Sequence, residues 1–228
     1  MIERLVPEGV VAVDAFEDVA EPGDLHPEEA ALIARAVATR RREFTTARWC
    51  ARRALAGLGA PAAPLLPGPH GAPAWPEGVL GSITHCTGFR AAAAARSSAV
   101  AALGIDAEPN GPVRDGVLGT IALPGERRHL RELARAEPEV RWDRLLFSAK
   151  EAVYKTWYPW TGRRLGFEDA ALTFTVETGA GDGGGRLGGG FTARILFPAP
   201  RPAASPDRLE GRWLAERGLL LTAIAVPG

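Results

Sequence analysis

Gly104-Ile105-Asp106-Ala107-Glu108-Pro109 is the stretch on which the reading of this chain turns. It follows a continuous apolar run and is closed by a proline, as expected of a strand end. Alternate residues of an extended segment point to the same side. Asp106 and Glu108 therefore share one face, while Ile105 and Ala107 are free to face a core. Two hard oxygen donors held this close suit Mg²⁺. A solvated acidic edge strand reads the same six residues equally well, and the choice depends on what lies about forty residues further on.

There the chain runs Trp142-Asp143-Arg144-Leu145-Leu146-Phe147-Ser148-Ala149-Lys150-Glu151-Ala152-Val153-Tyr154-Lys155-Thr156-Trp157-Tyr158-Pro159. Leu146, Ala149 or Lys150, Val153 and Trp157 recur at helical spacing, Asp143 suits the N-cap, and Pro159 is expected to stop the helix. Glu151 and Lys155, four apart, share a face away from that stripe. Alone they read as a surface ion pair. Composition argues for more: the chain has 25 arginines and only two lysines, Lys150 and Lys155. Where arginine serves nearly everywhere as a cation, a retained lysine marks a place that needs a compact point charge able to release a proton. Neutralising a phosphate and protonating a leaving group both fit.

At 228 residues with 46% hydrophobic content the chain is globular, with room for one sizeable domain or two small ones. A formal net charge of zero gives no global electrostatic case for nucleic-acid binding. Cys50 and Cys86 cannot build a disulfide framework and read as small apolar residues in a reducing compartment. Met1 to Arg4 is no secretory signal, and the apolar stretch Ala91 to Ile105, interrupted by Arg96, is too short to span a bilayer. A soluble cytoplasmic protein is expected.

Val10 to Val13 reads as a strand and Glu17 to Asp24 as an acidic loop. Pro27 to Ala38 reads as a helix with Glu28 and Glu29 in its first turn, followed by a second helix from Thr39 to Gly59. That second helix carries Arg40, Arg41, Arg42, Arg48, Arg52 and Arg53, either a solvated basic face or a phosphate site. Pro61 to Pro76 is an irregular loop, Gly81 to Cys86 and Phe89 to Ala95 are strands around a turn at Thr87-Gly88, and Gly111 to Gly119 is a loop. Ser82, Thr84 and His85 form a polar cluster in apolar surroundings. Pro124 to Ala136 reads as a helix whose Glu126 is either a third acid for the site or, the favoured reading, a partner of Arg127 and Arg128. Strands are expected at Ala171 to Glu177 and Phe191 to Phe197 around a glycine-rich connection from Gly179 to Gly190, and at Gly211 to Glu216 and Leu219 to Val226 around Arg217-Gly218. Phe44, Arg48 and Arg52 repeat the spacing of Phe147, Glu151 and Lys155, a hint of duplicated architecture.

Taken together, Gly104-Ile105-Asp106-Ala107-Glu108, Phe147-Ser148-Ala149-Lys150-Glu151, Tyr154-Lys155, Trp75-Pro76 and Ser82-Ile83-Thr84-His85 resemble the Sfp-type 4′-phosphopantetheinyl transferases, the bacterial enterobactin-synthase and mycobacterial branch. The resemblance runs from about Arg40 to Phe174 and returns at Arg212-Trp213 and Glu216-Arg217-Gly218. It implies an α+β fold of two pseudo-symmetric subdomains, 1–103 and 104–228, each a small, mainly antiparallel sheet packed with helices, with the active site in the cleft between them. It implies Mg²⁺-dependent transfer of phosphopantetheine from coenzyme A to a serine of an acyl or peptidyl carrier protein by a monomer, releasing adenosine 3′,5′-bisphosphate. By the same resemblance Asp106, Glu108 and Glu151 would hold the metal, Glu151 would act as general base, and Lys155 would neutralise or protonate the leaving phosphate. Thr84 and His85 would bind the pyrophosphate, Arg40 and Arg48 the 3′-phosphate, with Arg52 assisting. Relatives place lysines before Trp75-Pro76, where this chain has Pro67-Gly68-Pro69-His70, leaving Gly68 and His70 as nucleotide contacts. Trp157, Trp160, Arg163 and Arg164 are candidate carrier contacts. A Mg²⁺-dependent pyrophosphate hydrolase and a non-catalytic coenzyme A sensor are the alternatives.

Overall fold

The computed structural model describes residues 1–18, 25–68, 71–177, 187–196 and 206–228. Among them are two antiparallel sheets and five α-helices. The first sheet has β1 (Val10–Ala15), β2 (Val79–Cys86) and β3 (Phe89–Arg96) in the order β1-β3-β2. The second has β4 (Val100–Pro109), β5 (Ala170–Glu177), β6 (Leu187–Ile195), β7 (Arg208–Glu216) and β8 (Leu219–Pro227) in the order β4-β8-β7-β6-β5. The helices are α1 (Pro27–Leu32), α2 (Ala38–Gly57), α3 (Val117–Ile121), α4 (Pro124–Ala136) and α5 (Trp142–Thr161). This is the α+β architecture the sequence implied. Leu103 and Gly104, the two sides of the expected boundary, are consecutive residues of β4.

Four layers result. Helix α2 covers one face of β3 through Cys50, Ala51, Ala54 and Leu55 against Ala92 and Ala94. The opposite face, Phe89, Ala91, Ala93 and Ala95, packs on Ile105 and Ala107 of β4 and Leu221 and Ala223 of β8, with Ile2 and Leu5 filling in. Helix α5 then covers the far face of the larger sheet through Leu145, Leu146, Ala149 and Val153. Ile105 and Ala107 thus face the core, as alternation requires. β2 and β4 are the edges of their sheets and meet side by side: Ser82 Oγ accepts the Ile105 N–H at 3.1 Å and Thr84 Oγ1 accepts the Ala107 N–H at 3.1 Å. Side chains of one edge satisfy the backbone of the other, which joins the halves without a continuous ladder. Gly104 lets α5 close onto β4, since a Cβ there would collide with Thr156 Oγ1 and the Ala152 carbonyl.

Several expected boundaries move. The first helix stops at Leu32 rather than Ala38: the chain goes on through i→i+3 turns at Ile33, Ala34 and Ala36, and Arg41 caps that segment by donating to the carbonyls of Ala36 at 2.8 Å and Ala34 at 3.0 Å. Pro159 lies inside α5: it removes one N–H in the last turn, the Thr161 hydroxyl donates to the Trp157 carbonyl at 2.9 Å, and the helix closes at left-handed Gly162 (φ 68°). Asp143 is not the N-cap, which is Arg141; its carboxylate accepts the Val113 N–H at 3.0 Å. The loop after β4 yields to α3 at Val117. Gly188 to Gly190 belong to β6, where a Cβ on Gly189 would strike the Thr175 carbonyl of β5, so these glycines serve close strand approach. The expected acidic loop and glycine-rich connection lie partly outside the described residues.

Both halves repeat one device. In α1, Pro27 opens the helix and Glu29, three residues after the cap, accepts the His26 N–H at 3.1 Å. The same buried carboxylate takes Arg52 of α2 at 2.9 Å and the Leu65 N–H at 2.9 Å. In α4, Pro124 opens the helix and Glu126 accepts the Leu123 N–H at 2.6 Å, Lys150 of α5 at 3.0 Å and the Leu172 N–H at 2.8 Å. Glu126 therefore does not pair with Arg127 or Arg128, because Arg127 caps the carbonyls of Ala122 and Gly119.

Candidate active site

A cavity of about 810 Å³ lies over the seam of β2 and β4, between α2 and α5. Its charged lining is Arg40 and Arg48 from α2, His85 from β2, and Glu151 and Lys155 from α5. The α2 and α5 residues among them are more than a hundred positions apart in the chain. Their convergence follows from the two edge strands meeting and each long helix flanking that edge.

At the α2 end the chemistry is cationic. Arg48 lies 3.8 Å over the Phe44 ring, its Nη2 donates to the Leu65 carbonyl at 3.4 Å, and its Nε is buried without a hydrogen-bond partner. Burial above all pulls its pKa down to about 10, with Glu29 opposing and Arg40 and Arg52 adding to the fall. A desolvated guanidinium with an unused donor is a receptor for an anion. Arg40 Nη1 sits 2.7 Å from His85 Nε2. Arginine can only donate, so His85 accepts through Nε2 and carries its proton on Nδ1. Burial, then the charge of Arg40, lowers the His85 pKa and keeps the ring neutral.

The α5 end is acidic with one amine. Lys155 Nζ donates to Asp106 Oδ1 at 2.7 Å and to the Ile105 carbonyl at 3.3 Å. Asp106 Oδ1 also accepts Thr84 Oγ1 at 3.1 Å, whereas Asp106 Oδ2 is buried with no partner. Glu108, two residues on, holds Arg144 at 3.0 Å. Burial, then the charge of Asp106, pushes the Glu108 carboxyl up, and Arg144 opposes. Glu151 behaves alike: burial first and Asp106 second raise its pKa, with Lys155 opposing. Asp106 is thus electrostatically joined to both glutamates. Among the described residues, however, no three His, Cys, Asp or Glu side chains stand close enough together to hold a metal ion as they are placed. A hollow of about 220 Å³ lined by Val153, Tyr154, Leu165 and Phe167 opens on the other side of Glu151.

Comparison with known proteins bears directly on this arrangement. Residues 28–95 match the 4′-phosphopantetheinyl transferase N-terminal domain and residues 102–181 the 4′-phosphopantetheinyl transferase superfamily. The 4′-phosphopantetheinyl transferase Svp of Streptomyces mobaraensis is 53% identical over 99% of this chain and 89% of its own. PptT of Mycobacterium tuberculosis is 49% identical over 95% and 96%, and Npt of Nocardia iowensis 47% over 99% and 99%; both are named 4′-phosphopantetheinyl transferases. The chain belongs to the 4′-phosphopantetheinyl transferase family.

In this family member the residues singled out from sequence fall into three groups. Arg40, Arg48, His85, Glu151 and Lys155 line the cavity, and Asp106, Glu108 and Thr84 form the network directly behind Lys155. Arg52 is turned to Glu29, and Gly68 donates its N–H to the Ala72 carbonyl at 2.7 Å. His70 lies outside the described residues. Trp157 is fully buried in the core of the larger half, which removes it as a carrier contact; Trp160 lines the cavity, and Arg163 and Arg164 are exposed. Lys150 is not a phosphate ligand. Its ammonium is enclosed by Glu126, the Phe167 carbonyl at 2.6 Å and the Ala170 carbonyl at 3.0 Å, three acceptors for three donors, and burial lowers its pKa. Sequence reasoning missed Arg144, whose place seven residues before Glu151 on the same helical face was the available signal.

Proposed function

We propose that this protein moves phosphopantetheine from coenzyme A to a serine of an acyl or peptidyl carrier protein, releasing adenosine 3′,5′-bisphosphate. The observation that carries this reading is the polarity of the cavity of about 810 Å³, with two guanidinium groups from α2 on one wall and the Glu151 carboxylate with the Lys155 amine on the other. Arg40 and Arg48 would grip the 3′-phosphate, and the Nδ1–H of neutral His85 would donate to the pyrophosphate. Lys155, held by Asp106, would sit against the phosphate that leaves with the nucleotide. Glu151 would accept the proton of the serine hydroxyl, directly or through a water, as the serine oxygen bonds to the pantetheine-bearing phosphorus and the bridging P–O bond breaks. The leaving oxygen keeps the bonding electron pair, as a negative charge that the Lys155 ammonium neutralises or with a proton that it takes from Lys155.

The donor set fits a hard divalent cation: Asp106 presents a buried oxygen without a partner, and two carboxyls with raised pKa values lie within reach of its charge. Asp106, Glu108 and Glu151 would hold Mg²⁺, which when bound supplies charge neutralisation at the pyrophosphate. Thr84 orients Asp106 within that set. Arg52 would act on the anion only through its field, and Gly68 and His70 would approach the nucleotide by backbone and ring. No helix among the described residues is long and apolar enough to cross a membrane. A cytoplasmic monomer without nucleic-acid or membrane partners completes the proposal.

Incubation with coenzyme A, Mg²⁺ and an apo carrier protein tests it. Transfer adds the phosphopantetheine mass to the carrier serine. Release of free phosphopantetheine without a carrier would instead make the protein a hydrolase, and neither product would make it a coenzyme A sensor.

A further inference from the structure

Arg144 is placed in none of the roles above, yet its guanidinium is held at three points. Nη1 donates to Glu108 Oε2 at 3.0 Å, Nε to the Gly111 carbonyl at 3.3 Å and Nη2 to the Pro112 carbonyl at 2.6 Å. Its neighbours tie the same loop to the start of α5. The Asp143 carboxylate takes the Val113 N–H at 3.0 Å, Asn110 Oδ1 accepts the Arg141 N–H at 2.9 Å, and Asn110 Nδ2 donates to the Glu139 carbonyl at 2.9 Å. The residues directly after Glu108 are thus sewn to the helix that carries Glu151.

The stitching has a geometric logic. Arg144, Glu151 and Lys155 are seven and eleven residues apart, so all three project from one face of α5. Toward β4, that face ends in two cations, each on one carboxylate. Lys155 holds Asp106 through Oδ1 and leaves Oδ2 without a partner; Arg144 holds Glu108 through Oε2. A carboxylate pinned through one oxygen cannot turn away, and its second oxygen keeps a fixed direction. A fork with two of its arms on backbone carbonyls cannot follow a moving carboxylate, so it sets where Glu108 points.

We propose that Arg144 is a positioning residue that fixes Glu108 for divalent-cation binding and locks β4 in register with α5, as Lys155 does for Asp106. This rests on the assignment of Glu108 to the cation site made above.

The test is Mn²⁺ binding, followed by electron paramagnetic resonance on the full chain with saturating coenzyme A and no carrier, beside coenzyme A binding in EDTA by calorimetry. Arg144→Ala and Arg144→Gln are each expected to raise the Mn²⁺ dissociation constant by about tenfold or more, with coenzyme A affinity in EDTA essentially unchanged. Arg144→Lys, which keeps the charge and loses the fork, is expected to resemble Arg144→Gln and serves as the folded comparison should truncation to Ala unfold the chain. Adding Arg144→Ala to Glu108→Gln is expected to cost nothing further, because both act through one carboxylate. Wild-type Mn²⁺ affinity in Arg144→Gln or Arg144→Lys, or additive losses in the double variant, would overturn the inference while leaving the cation site standing if Glu108→Gln alone weakens Mn²⁺. Unchanged affinity in Glu108→Gln would overturn the assignment of Glu108 itself, and this inference with it.

Discussion

Glu29 and Glu126 occupy the same station in the two halves of the molecule and are finished differently. Each follows a proline that opens a short helix, each is buried, and each binds a cap N–H, a distant backbone N–H and a cation of the adjoining long helix. In the first half that cation is Arg52, with 16% of its side chain exposed; in the second it is Lys150, with 2%. The second site also gathers two carbonyls, Phe167 and Ala170, and with Glu126 they match the three donors of an ammonium. The cavity-facing sides of the two long helices differ as well: α2 offers guanidinium groups there and α5 a carboxylate and an amine. The same buried-glutamate device therefore stands behind a cationic wall in one half and a wall with a carboxylate and an amine in the other.

The largest effect expected from breaking this division is on α5. Glu151→Gln should lower transfer by about 10²–10⁴-fold if its carboxylate takes the serine proton. Coenzyme A binding should survive, and turnover near wild type in a carrier mass-shift assay would refute the base assignment. Next comes the frame. Lys150→Ala leaves Glu126 as an uncompensated buried charge and should destabilise the fold by about 3–5 kcal/mol. Chemical denaturation checks this; a loss no greater than that of an exposed ion pair would mean that the two frames are not equivalent. On the opposite wall, Arg48→Ala removes charge-assisted hydrogen bonds to the nucleotide, about 1.5–3 kcal/mol of coenzyme A affinity by calorimetry. Transfer at saturating coenzyme A should change far less.

The smallest effect is on pH. Because burial and Asp106 raise the Glu151 carboxyl, its carboxylate form is reached only above the ordinary carboxylate range. Activity should therefore fall on acidification at a higher pH than a solvated glutamate would give. Stability follows the opposite sign: a carboxyl whose folded pKa is raised binds more protons folded than unfolded, so its contribution declines as pH rises through that window. Glu151→Gln should then gain thermal stability at neutral pH while losing turnover, and a thermal melt across pH reads the sign.

How far all this was legible in the sequence depended on whether a signal was local. The hairpins at Thr87-Gly88 and Arg217-Gly218 declared themselves through glycines, observed at positive φ at Gly88 (78°) and Gly218 (75°); Arg217 beside the second adopts 54° without such a signal. The alternation around Asp106 and the four-residue step from Glu151 to Lys155 were equally local. What failed was settled by distant partners. Arg41 caps the turns after α1 from nine residues beyond its end, Pro159 is tolerated because it falls in a last turn, and Glu126 ignores its arginine neighbours for a lysine 24 positions away. The scarcity of lysine was a correct signal with two causes: Lys155 sits at the cavity, and Lys150 spends its three donors on a buried carboxylate and two carbonyls. The repeated pattern of proline followed two residues later by glutamate, Pro27 to Glu29 and Pro124 to Glu126, announced the duplicated frame more faithfully than the Phe44 and Phe147 spacing.

The two lysines also set the molecule's response to acylating reagents. Lys150 is sealed in its socket, and the Lys155 side chain is 28% exposed at the cavity. A side-chain label introduced by an amine-selective ester therefore lands in one place, where it reports occupancy of the cavity and is blocked by whatever fills it.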